Sequence, residues 1–311
     1  MLSRVADSLY WMGRYFERAD HCARVLEANY NLMLNPSKLS ADQRWARIGA
    51  CLGLGIHCAD LDAPTAILSL TGETQNRSSI VGAITAAREN ASQVREQISS
   101  EMWERLNQLF HEVNSHNWRA EKTFDPMRLV TAMREGSYKF HGVTDATMNH
   151  GEGWLFIQFG KHIERACALS TLLDAHFSNL GEADDLDWVC LLSSCAAFEA
   201  YCRVYTADLK PGRVAEFLLL NPEFPFSVRY AADRMEQTLE AIAIASSVRK
   251  AGRIDRIIGS LGASLRYVQI EEVMAQDLHR YLQGVVQQCH SLHAALHEAY
   301  IAYPIESAFE A

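Results

Sequence analysis

Val5, Leu9, Met12, Phe16, Ala19, Ala23, Leu26, Tyr30 and Met33 follow alternating steps of four and three without a slip. Only an α-helix puts residues at that spacing on one face. The run predicts a first helix of about nine turns, from 3.6 residues per turn. A second apolar row, Trp11, Tyr15, Cys22, Val25 and Leu32, runs beside the first. A helix apolar along two adjacent rows must pack against at least two partners. The same rhythm returns at Ile80, Ile84, Ala87, Ala91, Val94 and Ile98, and at Phe156, Phe159, Ile163, Ala166 and Leu173. It returns again at Leu278, Leu282, Val285, Cys289, Leu292, Leu296 and Tyr303. Alternating strand patterns are hard to find. The expected fold is therefore all-α, a single large multi-helix bundle of roughly ten to fourteen helices.

Local signals place some of the boundaries. Asn35-Pro36 marks the end of the first helix, and Ser40 through Gln43 reads as a capping box for the next. Ser78 or Ser79 is a candidate N-cap. Asp125-Pro126 combines an N-cap with a first-turn proline. Asn221 to Pro225 reads as a rigid turn between helices. Connections rich in Gly and Asp are expected near residues 57–78, 141–153, 177–187 and 249–263. No low-complexity linker divides the chain, so residues 1–311 are expected to form one domain.

Apolar residues make up 49% of the chain, against only 7 Pro and 17 Gly, which favours a large core of long helices. The formal net charge of -9 argues against a nucleic-acid partner, which would need phosphate-neutralising Lys and Arg. No run is long and apolar enough to span a bilayer, and no leader-like n- and h-region opens the chain. The 8 Cys lack a Cys-x-x-Cys pair and sit among apolar neighbours, the usage of free thiols in a reducing compartment. A cytoplasmic location is expected.

One heptapeptide pattern occurs twice. Gly13-Arg14-Tyr15-Phe16-Glu17-Arg18-Ala19 is echoed by Gly160-Lys161-His162-Ile163-Glu164-Arg165-Ala166: Gly, base, ring, apolar, Glu, Arg, Ala in both. Such an echo points to two equivalent helices in a pseudo-symmetric arrangement. Glu17 shares a helical face with Tyr10, Arg14, His21 and Arg24. Glu164 falls among Ile157, Lys161, Cys167, Ala168 and Thr171. A buried carboxylate without a partner is costly. The economical arrangement is reciprocal, Glu17 with Arg165 and Glu164 with Arg18, about a pseudo-twofold axis. Two readings stand side by side. The pairs lock two central helices, or they belong to an Arg-rich anion pocket in which Arg14 and Lys161 add charge for a carboxylate or phosphate.

Other clusters carry less chemistry. Arg88 and Arg95 lie seven apart, as do Glu89 and Glu96, which reads as a solvated helix face with internal ion pairs. His290, His293 and His297 stand at i, i+3 and i+7, but the outer two are about 10 Å apart along a helix, too far for one metal ion. They read as border histidines, and no metal is expected. Glu17 and His21 are four apart, yet the repeated Glu-x-x-His of di-iron bundles is absent. There is no phosphate-cradling Gly-x-x-x-x-Gly-Lys loop, no Gly-x-Gly-x-x-Gly, no Gly-x-Ser-x-Gly and no His-Glu-x-x-His. No cofactor is expected.

The stretch Leu9-Tyr-Trp-Met-Gly-Arg-Tyr-Phe-Glu-Arg-Ala19 resembles the opening of the alpha-E family, bacterial all-helical domains named for a Glu-Arg motif. Three further blocks agree: Asn76 to Trp103, Thr147 to Ala166, and Phe217 to Pro225. The resemblance covers essentially the whole chain in order. At Cys167-Ala168 the chain departs from the acidic residue and Asn that follow the second Glu-Arg-Ala in the family. The resemblance implies one helical domain without an established activity, a companion of circularly permuted ATP-grasp ligases. It implies a setting of ATP-dependent amide-bond formation on a peptide or amino-acid substrate, with the ligase supplying the nucleotide site. The expected role is a non-catalytic or substrate-presenting partner of such a ligase, with the Glu-Arg cluster organising an acidic-substrate pocket or the docking surface. The alternatives are a stand-alone helical enzyme using Glu17 or Glu164 as general acid or base beside Arg18 or Arg165, and a purely structural scaffold.

Overall fold

The computed structural model describes residues 1–33, 41–53, 63–115, 125–178, 183–246 and 252–301. Among them the chain forms fourteen α-helices and no strand. In chain order these are α1 (Ser3–Met33), α2 (Ala41–Cys51), α3 (Ala63–Thr71), α4 (Ile80–Gln93), α5 (Ser100–Asn114), α6 (Pro126–Thr147) and α7 (Glu152–Phe177). They continue with α8 (Asp185–Ser194), α9 (Phe198–Tyr205), α10 (Pro211–Leu220), α11 (Val228–Ser246), α12 (Arg253–Tyr267), α13 (Ile270–Gln276) and α14 (Leu278–Leu296). A π-helical turn, His297–Ile301, extends α14.

The two longest helices, α1 and α7, share the most extensive interface and form the centre. Around α1 pack α4, α6 and α8; around α7 pack α11, α14 and α2. The double apolar row of α1 supplies this. Leu9, Met12, Phe16, Ala19 and Ala23 of the first row, and Tyr15, Cys22 and Val25 of the second, are all buried. Tyr30, at the far end of the first row, is exposed. Fully burying side chains of this size stabilises by roughly 1.5–3 kcal/mol each before chain entropy is counted.

The motif glycines explain how closely α1 and α7 approach. A Cβ on Gly13 would fall closer than 3.0 Å to the carbonyl oxygen of Ile157, and one on Gly160 equally close to that of Tyr10. Ile157 and Tyr10 each lie three residues before the glycine of their own copy. The contact is therefore reciprocal, as a pseudo-twofold relation between the two helices requires. Without side chains at these two points, backbone meets backbone.

Cap chemistry sets other boundaries. Ser79 caps α4, its Oγ accepting from Gly82 N at 2.9 Å. Asp125 caps α6, with Pro126 in the first turn. Asn221 Oδ1 accepts from the backbone N–H of Glu223 and Phe224, which fixes the turn between α10 and α11. The ends assigned to Asn35-Pro36 and to the Ser40 capping box, and the seam position Tyr303, lie outside the described residues.

Four sequence expectations need correction. Residues 57–78 are not a connection throughout, since α3 runs Ala63–Thr71 within them. The stretch 141–153 is not mainly a connection: α6 continues to Thr147 despite Gly142, and α7 begins at Glu152. Nor is 249–263 a connection, since α12 begins at Arg253 and its face Ile254, Ile258, Leu261 and Leu265 is buried. In α12 an apolar face repeating every three to four residues outweighs glycine's roughly 1 kcal/mol helix penalty, and in α6 the buried face Ser137, Phe140 and Thr144 carries the helix past Gly142. The seam from Ile80 to Ile98 is not one helix. It stays buried throughout, but α4 stops at Gln93 and a 3-10 turn, Arg95–Gln97, carries it into α5.

Replacing Gly13 or Gly160 by Ala should lower the thermal midpoint, with a cost of about 1–3 kcal/mol, the range for overpacking a dense contact. Gly259→Ala in α12, where an added Cβ meets nothing within 4 Å, should be neutral or slightly stabilising. Equal melts for all three variants would refute the close-contact account.

Candidate functional site

The two Glu-Arg motifs face each other across the α1–α7 interface. Arg165 donates twice to Glu17, Nε to Oε1 at 2.6 Å and Nη2 to Oε2 at 2.9 Å. This is a bidentate guanidinium–carboxylate pair between residues 148 positions apart. Glu164 divides its oxygens: Oε1 accepts from Arg18 Nε at 2.6 Å and Oε2 from Arg14 Nε at 2.7 Å. Glu17, Arg14, Glu164 and Arg165 are buried, while the Arg18 side chain keeps 25% exposure. Burial pushes the Glu164 carboxyl up, but Arg18 and Arg14 outweigh it and hold the group below the usual glutamate value.

The pairing is reciprocal in Glu17–Arg165 and Glu164–Arg18, and the reciprocity breaks at the basic position of the heptapeptide. In the first copy Arg14 reaches the opposite glutamate. In the second, Lys161 does not, and Arg165 alone engages both oxygens of Glu17. The Lys161 ammonium makes no hydrogen bond or ion pair with any described residue. Burial and the neighbouring Arg165 push its pKa down to about 8, against the opposing pull of Glu17, Asp20 and Asp145.

Lys161 lines a cavity of about 300 Å³ between α1, α6 and α7. Gly13, Phe16 and Ile157 contribute its central wall, and Phe140, His141, Thr144 and Asp145 its α6 wall. Phe16 stacks on Phe140 with ring centroids 4.0 Å apart, which fixes α6 against α1. The His141 Nε2 is buried without a hydrogen-bond partner among the described residues. Burial drives this imidazole well below its ordinary pKa, and Lys161, Arg165, Arg24 and His162 push in the same direction. It is a neutral ring at physiological pH.

Several members of the cluster were not singled out from the sequence. Asp20 pairs with Arg24 one turn along α1, Nε to Oδ2 at 2.7 Å, and both are buried. Arg24 and Arg165 lie over the Phe226 ring, 4.6 and 4.1 Å from its centroid. Arg165 Nη1 also donates to the Pro225 carbonyl at 3.0 Å. The Asn221–Ser227 turn thus covers one end of the ion pairs. The i, i+4 spacing of Asp20 and Arg24 was a readable signal; the docking of the turn was not.

The remaining candidates have separate partners. His293 bonds to the Tyr10 hydroxyl at 2.8 Å, His297 lies 3.6 Å from Asp7, and His290 is exposed. Among the described residues no three His, Cys, Asp or Glu gather closely enough for a metal ion. The expected ion pairs around Arg88 and Arg95 do not form there. Arg88 donates to Asn107 Oδ1 at 2.7 Å and lies 4.4 Å from the Phe110 centroid, and both arginines face Trp103. The helix break after Gln93 removes the shared face on which that expectation depended. The described cysteines Cys22, Cys51, Cys167, Cys190, Cys195, Cys202 and Cys289 are free thiols. No helix among the described residues is long and apolar enough to cross a membrane.

An all-helical chain centred on crossed Glu-Arg pairs defines the class. The chain belongs to the Alpha-E family, a predicted alpha-helical domain with a conserved ER motif, whose family model matches residues 1–301. It is similar to the uncharacterized protein Rv2567 of Mycobacterium tuberculosis (strain ATCC 25618 / H37Rv) and to the uncharacterized protein Mb2597 of Mycobacterium bovis (strain ATCC BAA-935 / AF2122/97). Each is 26% identical over 314 residues, covering 93% of this chain and 35% of the relative. The chain thus spans about a third of the length of these relatives. No solved structure matches it.

Glu17→Ala strands the buried Arg165 guanidinium and should cost about 3–5 kcal/mol. Arg18→Ala should cost clearly less, because Arg14 still neutralises Glu164 and Arg18 is partly solvated. Chemical denaturation of both variants checks the ranking; equal losses would contradict the geometry. Stability should also fall early on acidification. Burial depresses the folded-state pKa of His21, His162 and His176, the last to about 4. Their contribution is complete above the unfolded value near 6.5 and is lost as pH falls toward the folded values. Each adds a slope of at most roughly 1.4 kcal/mol per pH unit in that window. A thermal midpoint flat from pH 7 to 5 would exclude this.

Proposed function

We propose that the chain is a non-catalytic, substrate-presenting module that works beside an ATP-grasp amide or peptide ligase. In this reading the crossed Glu-Arg pairs are a structural brace, and the presented ligand is an acidic peptide or an amino acid. The observation that carries it is the engagement of both glutamates by arginine. All four carboxylate oxygens of Glu17 and Glu164 are held by guanidinium groups, and Glu164 is kept in its charged form. A general acid must hold a transferable proton near neutral pH, and a general base must reach the atom it deprotonates. Neither glutamate is placed to do so, which argues against the stand-alone enzyme reading.

The length relation supports a module that works with other machinery. About two thirds of each relative lies outside the matched region, which covers 35% of it. The sequence has no phosphate-cradling loop of its own, so the nucleotide site belongs to the ligase partner. The net charge of -9 and the free thiols fit a bacterial cytoplasmic protein with no nucleic-acid or membrane partner.

Native-level tagged protein, purified from its own host and analysed by mass spectrometry, should bring down an ATP-grasp ligase. Adding the pure chain to that ligase should raise its substrate-dependent phosphate release. The chain alone should show no ATP binding by calorimetry. Micromolar ATP affinity or turnover by the isolated chain would move the assignment to an enzyme. A ligase indifferent to the chain would leave the purely structural scaffold.

A further inference from the structure

In the second copy of the heptapeptide the basic position finds no carboxylate within salt-bridge reach among the described residues, and that position opens into a cavity. The cluster at the α1–α7 contact holds five cations, Arg14, Arg18, Arg24, Lys161 and Arg165, against three carboxylates, Glu17, Asp20 and Glu164, with Asp145 further out at the cavity edge. Every arginine in it is paired, so the surplus open to a ligand is the Lys161 ammonium. Arg165 repels that ammonium, and an anion bound beside it would relieve the repulsion.

The walls of the cavity narrow the chemistry of that anion. Asp145 also lines it and stays solvent-exposed at its edge, with His150 Nε2 3.7 Å from its Oδ1. A phosphate dianion would meet Asp145 as a like charge and would find no free guanidinium fork. A ligand carrying both signs meets Lys161 and Asp145 together. Gln158 offers uncharged hydrogen bonds, while Phe16 and Ile157 offer apolar surface. About 300 Å³ is the lower end of small-ligand pockets, enough for a single amino acid rather than an extended peptide.

We infer that the cavity between α1, α6 and α7 is a binding site for a free apolar α-amino acid. The carboxylate sits on Lys161, the ammonium on Asp145, and the side chain lies against Phe16 and Ile157. Lys161 and Asp145 are binding residues here, with no bond made or broken. The inference deepens the substrate-presenting reading and rests on it for the ligand's fate; binding itself is a property of the isolated chain.

Titration calorimetry of the full chain tests it with L-leucine and L-phenylalanine as probes. Isoamylamine, which lacks the carboxylate, 4-methylpentanoate, which lacks the ammonium, and inorganic phosphate serve as comparisons. At least one amino acid should bind, and for leucine each truncated analogue should bind about tenfold or more weakly. Lys161→Met should weaken the amino acid at least about tenfold while leaving isoamylamine unchanged. Asp145→Asn, at an exposed position and so compatible with folding, should weaken the amino acid while leaving 4-methylpentanoate unweakened. Thermal melts establish that both variants are folded. Absence of amino-acid binding at millimolar concentration, or phosphate binding as tightly as leucine, would overturn the inference. So would a folded Lys161→Met or Asp145→Asn variant with unchanged affinity. Amino-acid binding by a chain that brings down no ligase supports the site and counts against the ligase partnership; a ligase without amino-acid binding does the reverse.

Discussion

The close approach of α1 and α7 at Gly13 and Gly160 is the constraint on which the rest of the molecule depends. Two backbones that meet without intervening side chains leave no room for water between them. Charged groups buried beside that contact therefore need partners within the protein. Glutamate four residues after each glycine, and arginine five after, sit one turn along from the contact point. At that distance each carboxylate meets the guanidinium of the other copy. The glycine and the Glu-Arg dipeptide are one device: the first sets the separation, and the second supplies the polar partners that the separation demands.

Such a device contributes less to net stability than its hydrogen bonds imply. Desolvating the ions offsets most of the attraction, and an apolar replacement of equal volume is often as stable. Its larger effect is on register. An apolar interface tolerates a slip of α7 along α1 by one turn, whereas the crossed pairs would then leave charges buried alone. Arg24 and Arg165 extend the same logic to the Asn221–Ser227 turn, whose Phe226 lies beneath both guanidinium groups. The brace thereby fixes α11 relative to α7 as well as α7 relative to α1.

How much of this was readable beforehand follows from the range of the forces involved. The α1, α7 and α14 seams were legible because burial follows helical periodicity, and Ser79 and Asp125 because capping is local. The reciprocal pairing was legible because two copies of one motif leave few ways to satisfy two buried glutamates. The stop of α4 at Gln93 was not, since the apolar rhythm continues through Val94 and Ile98 in a different backbone conformation. The unpaired state of Lys161 was also hidden. Lysine and arginine look equivalent in the heptapeptide, and only the structure shows Arg165 holding both oxygens of Glu17 in place of Lys161. The α6 wall of the cavity, with His141 and Asp145, comes from a segment expected to be a connection.

The departure from symmetry is where function has room to enter. A fully symmetric brace would give each glutamate two basic partners and leave no basic side chain of the motif unpaired. Here one glutamate is shared by Arg14 and Arg18, and the other is taken whole by Arg165. Had the second copy carried arginine at position 161, its longer planar fork could compete for Glu17 or for Asp20 and close the gap. Lysine offers a compact point charge on a flexible stem, which remains on the cavity wall. The arrangement separates two tasks within one repeated motif. The first copy is saturated and holds the helices. The second holds them equally well through Arg165, and keeps its lysine beside a space bounded by Asp145 and His141.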